Sequence, residues 1–248
     1  MRTVALFVPC YVDQLYPQVA VATLKLLERH GCTVVYPEAQ ACCGQPMANA
    51  GEAAVAAPLC AHFLEVFGNY EHVVVPSGSC AGMVRDQFPD LVPKHPRLEK
   101  VRASTFELCE FLHDVLGVRE VKGRFARTVG LHRSCHAQRG LRLASGSERQ
   151  VAPFDKVRTL LASLDGIRLV EPSRPDECCG FGGTFAATEE AVSCLMGRDR
   201  LDDHLKAGAE VITGVDVSCL MHLEGLARRS GRRVEFRHVA EVLLGEDA

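Results

Sequence analysis

The sequence has no surplus of basic charge. Its 28 Lys and Arg stand against 31 Asp and Glu, a formal net charge of -3, so nothing in the balance points to nucleic acid. No apolar run reaches membrane-spanning length. The opening stretch MRTVALFVPCY carries one Arg and an apolar run that stops at Pro9. That run is too short for a secretory core and lacks a small-residue cleavage site. It reads as the buried first strand of a cytoplasmic protein. No nucleotide-binding glycine motif, H-E-x-x-H or catalytic triad is visible. What the chain has instead is cysteine, twelve in 248 residues. In a long chain without a secretory leader, thiols stay reduced, and such a count points to metal or redox chemistry over disulfides.

Eight of the twelve recur as two sets. Cys10, Cys42, Cys43 and Cys80 are spaced 32 positions from first to second and 37 from third to fourth; Cys135, Cys178, Cys179 and Cys219 are spaced 43 and 40. Their surroundings match too. VALFVPC resembles TVGLHRSC, HGCTVVYPEAQACCG resembles LDGIRLVEPSRPDECCG, and VVVPSGSC resembles VITGVDVSC. The tails ELCEFLHDVLG and HVAEVLLG agree as well. The chain therefore reads as two copies of one unit, residues 1–122 and 123–248, divided in the polar stretch around Lys122 and Gly123.

Each copy alternates strand and helix. In the first, strands are expected at Thr3–Val8, Thr33–Tyr36 and His72–Val75, with helices at Tyr16–His30, Glu52–Phe67 and Phe106–Leu116. In the second, strands are expected at Thr128–His132, Ile167–Val170, Glu210–Thr213 and Arg233–Phe236. Continuously apolar strands alternating with helices imply parallel sheets covered on both faces. The fold class is α/β: two tandem homologous domains, each with a parallel sheet, related by a pseudo-twofold. Cysteines that follow successive parallel strands share the carboxyl edge of the sheet. Each half is expected to gather its four into one thiolate pocket.

Four thiolates suit zinc or an iron–sulfur cluster. Adjacent cysteines diverge and chelate a single small ion awkwardly, so a larger group with separate iron atoms fits better. The Gly after each pair lets the backbone approach and offers N–H groups. A doubled CCG, with a strand-end Cys before it and a later SC, resembles the cysteine-rich CCG-domain family of iron–sulfur oxidoreductases, and PSGSC and VDVSCLMHL place the chain nearest its lactate-utilization branch. The resemblance spans nearly the whole chain. It implies an iron–sulfur subunit of an L-lactate-oxidising complex, with one cluster per domain bound by the eight cysteines. It also implies two partners, a ferredoxin-like iron–sulfur protein and a third lactate-utilization protein. Heterodisulfide-reductase members of the family end in C-x-x-C. Here Ser77 and Asp216 replace the extra cysteine, leaving an oxygen at most as a fifth ligand. That favours an ordinary [4Fe-4S] cluster, though a three-iron cluster is also open.

Other residues have plainer readings. Cys32, Cys60, Cys109 and Cys194 lack counterparts in the other half and read as core filler. His132, His136 and His222 flank the second set and are candidates for proton relay or hydrogen bonding to sulfur, with a structural role the simpler reading for each. Arg85 and Arg139 read as surface charge, and the glycines of GFGG as room beside a cluster. Three functions stand: an electron-transferring oxidoreductase subunit that needs partners, a thiol/disulfide reductase of the heterodisulfide type, and a zinc-stabilised interaction module.

Overall fold

The computed structural model describes residues 2–245; Met1 and residues 246–248, the outer ends of the two expected halves, lie outside the described residues. The first half runs β1 (Arg2–Leu6), α1 (Cys10–Leu15), α2 (Pro17–Arg29), β2 (Cys32–Val35), α3 (Gln45–Asn49), α4 (Ala53–Phe67), β3 (Val73–Val75), α5 (Gly78–Gly82), α6 (Phe88–Leu91), α7 (Leu98–Ser104), β4 (Thr105–Glu107) and α8 (Leu108–Glu110). A wider π turn over Phe111–Val115 prolongs α8. The second half runs β5 (Thr128–His132), a π turn at His136–Gly140, α9 (Lys156–Ala162), β6 (Arg168–Val170), α10 (Phe185–Thr188), α11 (Glu190–Lys206), β7 (Val211–Gly214), α12 (Val217–Arg229), β8 (Glu235–His238) and α13 (Val239–Leu244).

The strands form two four-stranded sheets, ordered β2-β1-β3-β4 and β6-β5-β7-β8. Every pairing within them is parallel. The central strands are buried on both faces, as Val73, Val74 and Val75 show, and so carry no polar alternation. On α2 the buried positions Val19, Ala22, Thr23, Leu26 and Leu27 recur every three or four residues, one face of a helix. Gly31, at φ +78°, turns the chain out of that helix into β2.

Several strand ends shift by one or two residues from the sequence reading, and two differences have a visible cause or marker. The expected helix Phe106–Leu116 is a strand followed by a helix: Thr105–Glu107 pairs with β3, Val74 opposite Phe106. The apolar positions on either side of the junction run together into one helical period. A capping box marks the true start, since Glu107 accepts from the backbone of Cys109 and Glu110 while the Glu110 side chain reaches back to the Glu107 N–H. The fourth strand of the second half sits two residues later than expected, Glu235–His238, and ends at the matching box of His238 and Glu241.

The halves share one core. Buried side chains from β1, α2 and β3 are continuous with Leu131, Leu160, Leu161 and the α13 residues Val239–Leu244. The last helix of each half crosses to the other, with α13 against α2 and α8 against α9. The same exchange recurs nearer the cysteines, with α1 against α12 and α5 against the π turn at His136–Gly140. Gly78 allows the second contact. A Cβ there would stand 2.8 Å from the Ala137 Cβ.

Candidate functional site

Each cysteine sits just past a strand. β1 ends and Cys10 opens α1; β2 leads through a loop to Cys42 and Cys43; Cys80 lies in α5, just past β3. Gly44, at φ +85°, then swings the chain from the cysteine pair into α3. The second half repeats this. Cys135 leads into the π turn, Gly180 at φ +86° follows Cys178 and Cys179, and Cys219 lies in the first turn of α12. Parallel strands bring these points to one sheet edge. The cross-packed helices then turn both edges toward each other. All eight cysteines line a single cavity of about 390 Å³, in place of two separate pockets. Tyr11, Gln45, Asn49, Ser79, Phe181 and Ser218 line it with them.

Within the first set, Cys42 Sγ is 3.8 Å from Cys10 Sγ and Cys43 Sγ is 3.5 Å from Cys80 Sγ. The Gly44 N–H donates to Cys42 Sγ at 3.5 Å, and in the second set the Gly180 N–H donates to Cys178 Sγ at 3.3 Å. The electrostatics repeat as well. Hydrogen bonding from Cys10, then from Cys43 and the Gly44 N–H, holds the Cys42 thiol well below its ordinary pKa. Cys178 is lowered in the same way by Cys135, Cys179 and Gly180. Cys10 and Cys135 move up, because each keeps the proton it shares with that neighbour. Cys43 and Cys179 also move up, through hydrogen bonds to the cysteine before them and to Cys80 or Cys219, with burial adding to the effect. Each set thus presents one cysteine poised as a thiolate, Cys42 or Cys178, beside two raised thiols whose protons a metal would displace.

Ser77 and Asp216 meet each other. Ser77 Oγ donates to Asp216 Oδ1 at 2.8 Å and accepts from the Cys80 N–H at 3.2 Å, capping α5. The Asp216 carboxylate, 1% exposed, makes no cap on its own helix. It crosses to the first half and accepts from the Ser79 N–H at 2.9 Å, and it accepts from Ser134 Oγ on its own side. Ser79 and Ser134 immediately precede Cys80 and Cys135. One carboxylate therefore ties a cysteine loop of the first half to one of the second.

The three flanking histidines part company. His132 is buried at the end of β5, and one of its ring nitrogens, Cys179 Sγ and Cys219 Sγ all lie within 4.8 Å of one another. Burial, with Arg200 beside it, lowers its pKa to about 3, so the ring is neutral. His136 is exposed at the cavity mouth. His222 lies behind the site, its Nε2 3.3 Å from the Ser193 carbonyl. Arg85 forms a two-pronged pair with Glu110 at 2.9 and 2.8 Å, and Arg139 pairs with Glu148 at 3.1 Å. Cys32, Cys60 and Cys109 are buried in the core, whereas Cys194 is partly exposed on α11. Gly182 and Gly183, both at positive φ, line the cavity. Arg200 and His204, on α11 behind the second set, have no place in the sequence reading.

A family model described as a cysteine-rich CCG domain matches residues 4–85 and 129–224. Lactate utilization protein A of Exiguobacterium sp. is 40% identical over 250 residues, covering 98% of this chain and 97% of that one. Lactate utilization protein A of Halalkalibacterium halodurans is 39% identical over 244 residues, covering 97% and 96%. Among solved structures, a hypothetical protein from Helicobacter pylori superposes with a TM-score of 0.63 at 13% identity. The match covers 98% of this chain and 48% of that one and is a likeness of fold.

Proposed function

Since the chain belongs to the cysteine-rich CCG-domain family, we propose that it is the iron–sulfur subunit of a lactate-oxidising system, passing electrons as lactate becomes pyruvate. Cys10, Cys42, Cys43 and Cys80 hold one [4Fe-4S] cluster, and Cys135, Cys178, Cys179 and Cys219 a second, one in each of the units 1–122 and 123–248. The observation that carries this is the convergence of both four-cysteine sets on one cavity. Zinc fits less well. With Zn–S near 2.3 Å, tetrahedral geometry needs all four sulfurs within about 3.8 Å of one another. The first set offers two pairs at 3.8 and 3.5 Å, but among the described residues no three of its sulfurs lie mutually within 4.8 Å. The four sulfurs instead run in a line, Cys10–Cys42–Cys43–Cys80, and such an extended set suits a larger group that offers its ligands several irons.

When bound, such clusters supply one-electron storage and transfer. The chain's own residues hold and insulate them. Gly44 and Gly180 bring backbone N–H groups to Cys42 and Cys178, and the shared core fixes the two sets in one frame. Removing a hydride equivalent from lactate takes two electrons together, so a flavin or partner must divide the pair. Two partners fit that division, a ferredoxin-like iron–sulfur protein and a third lactate-utilization protein, acting in the cytoplasm. No described helix is long and apolar enough to cross a membrane. Heterodisulfide chemistry is the weaker reading, because Ser77 and Asp216 bond to each other where a further thiol would stand. The test is iron, zinc and acid-labile sulfide analysis of anaerobically purified chain. Roughly eight irons and eight sulfides per chain, four of each for a cubane, are expected. Stoichiometric zinc without sulfide would overturn the reading.

A further inference from the structure

The two cysteine sets are alike in sulfur but not in what stands behind them. A Cβ on Gly44 would lie 3.4 Å from the Ala56 carbonyl and 3.5 Å from Cys60 Sγ, and a Cβ on Gly180 would lie against the Ser193 carbonyl and the Gly197 nitrogen. Ala56 on α4 therefore corresponds to Ser193 on α11, and Cys60 to Gly197. Continuing along the two helices, Phe63 corresponds to Arg200 and Phe67 to His204. Counted back from Cys10 and Cys135, Phe7 corresponds to His132.

These equivalents form the same trio in both halves. Phe7 packs on Phe63 and Phe67 with ring centroids 4.9 and 5.6 Å apart. His132 takes a hydrogen bond from Arg200 and lies 6.3 Å from His204, centroid to centroid. A wholly apolar wall in the first half is thus a polar one in the second. Gly130 makes the exchange possible, since a Cβ there would come within 2.5 Å of His204 Nδ1.

Arg200 fixes the chemistry of His132. A guanidinium has donors and no acceptor, so at 3.2 Å its Nε–H must point at a lone pair on His132 Nδ1. The ring's one proton is then on Nε2. That N–H is buried and has no hydrogen-bond partner among the described residues. Leaving a buried donor without a partner is unfavourable. The ring stands beside Cys179 and Cys219. Arg200 is itself held in place, donating to the Arg174 carbonyl at 2.6 Å and the Pro175 carbonyl at 3.3 Å in the loop that leads to Cys178.

We propose that His132 is a positioning residue that donates its Nε2–H to sulfur of the group bound by the second cysteine set and raises the potential of that centre. This rests on the cluster reading above. An N–H aimed at sulfur stabilises the more negative reduced form, so the centre accepts an electron more readily. The first centre, backed by Phe7, lacks this donor.

The experiment uses the anaerobically purified full chain with its clusters, labelled with ¹⁵N-histidine and reduced. Pulsed EPR should show one histidine nitrogen weakly coupled to a cluster, together with a proton that exchanges in D₂O. In a redox titration, His132→Phe, which restores the first-half residue, should lower the midpoint of one cluster and leave the other unmoved. His132→Gln, which keeps an N–H donor, should recover part of the shift. A strong coupling typical of a directly bound nitrogen would overturn the proposal, as would unmoved potentials in His132→Phe. If His132→Phe fails to load its second cluster, the wild-type spectrum still decides: no weakly coupled nitrogen means no donor. A chain with neither iron nor sulfide would refute the cluster reading itself, whereas loaded clusters without the histidine signal refute this inference alone.

Discussion

Replacing Asp216 with Ala should cost the metal-free chain about 2–4 kcal/mol, although it removes no apolar side chain. Its carboxylate accepts from Ser77 Oγ, the Ser79 N–H and Ser134 Oγ, and Ser77 and Ser134 are themselves buried. After truncation Ser77 can still turn to Ser79 Oγ, 3.2 Å away. The Ser79 N–H and the Ser134 hydroxyl are left without their acceptor, at about 1–3 kcal/mol each. Removing a buried carboxylate that has no cation against it among the described residues returns part of that sum. Urea unfolding followed by far-UV circular dichroism should show a lower midpoint with an unchanged slope. A double-mutant cycle with Ser77→Ala should give a coupling of about 1 kcal/mol or more. Because Ser79 and Ser134 precede Cys80 and Cys135, Asp216→Ala should also speed loss of iron from both halves. A stability loss under about 1 kcal/mol, or iron loss from the second half alone, would refute the idea that this carboxylate joins the two cysteine loops.

Three further outcomes are expected. Gly44→Ala should destabilise by about 1–2 kcal/mol through its left-handed backbone alone, because a Cβ there meets only ordinary contacts; Gly180→Ala should cost clearly more, because the Ser193 carbonyl would lie 2.5 Å away, and equal unfolding midpoints would contradict this. Burial pushes the Glu107 carboxyl well above the usual carboxylate range. Such a group contributes stability in acid that is lost as pH rises from about 4.3, its unfolded value, through the raised folded one. Glu107→Gln should therefore gain on the wild type as pH rises, and parallel stability curves across pH 4–9, on the order of that span, would exclude it. Cys43→Ala or Cys179→Ala should each remove about half the iron, one cubane's worth, and abolish growth on lactate; unfolding of the whole chain would show instead that the core depends on the cluster.

Much of this architecture was readable because parallel strands have a plain signature. Runs such as VVV at 73–75 are buried on both faces and show no alternation, and glycines mark where helices end. The doubled motifs carried the rest, giving the repeat and the two cysteine sets. The fourth strand of the first half was hidden because three residues, TFE, abut a helix of compatible period. The meeting of Ser77 with Asp216 was hidden for a different reason. Sequence pattern places residues along one sheet edge, but it says nothing of how two edges face each other. That depends on α13 lying against α2 and α8 against α9.

The polar wall of the second half escaped the sequence for a reason of register. From Cys43 to Phe63 is 20 residues, and from Cys179 to Arg200 it is 21. Aligning the halves on their cysteine pairs therefore slips by one before the long helix begins. Arg200 then falls opposite Leu64 and His204 opposite Gly68, and the match between Phe7–Phe63–Phe67 and His132–Arg200–His204 disappears. The clue that does survive is compositional. GRDRLDDHLK, the end of α11, reads as a solvated helix, yet Arg200, Asp203 and His204 are all buried there. A buried guanidinium is costly unless paired. Here the Asp203 carboxylate stands 3.6 Å away and the loop carbonyls and His132 take its donors. Three ionisable residues kept where the sister half packs three phenylalanines are unfavourable as core. Their place against the second cysteine set supplies the reason for them, because a polar wall there can tune that centre independently of its twin.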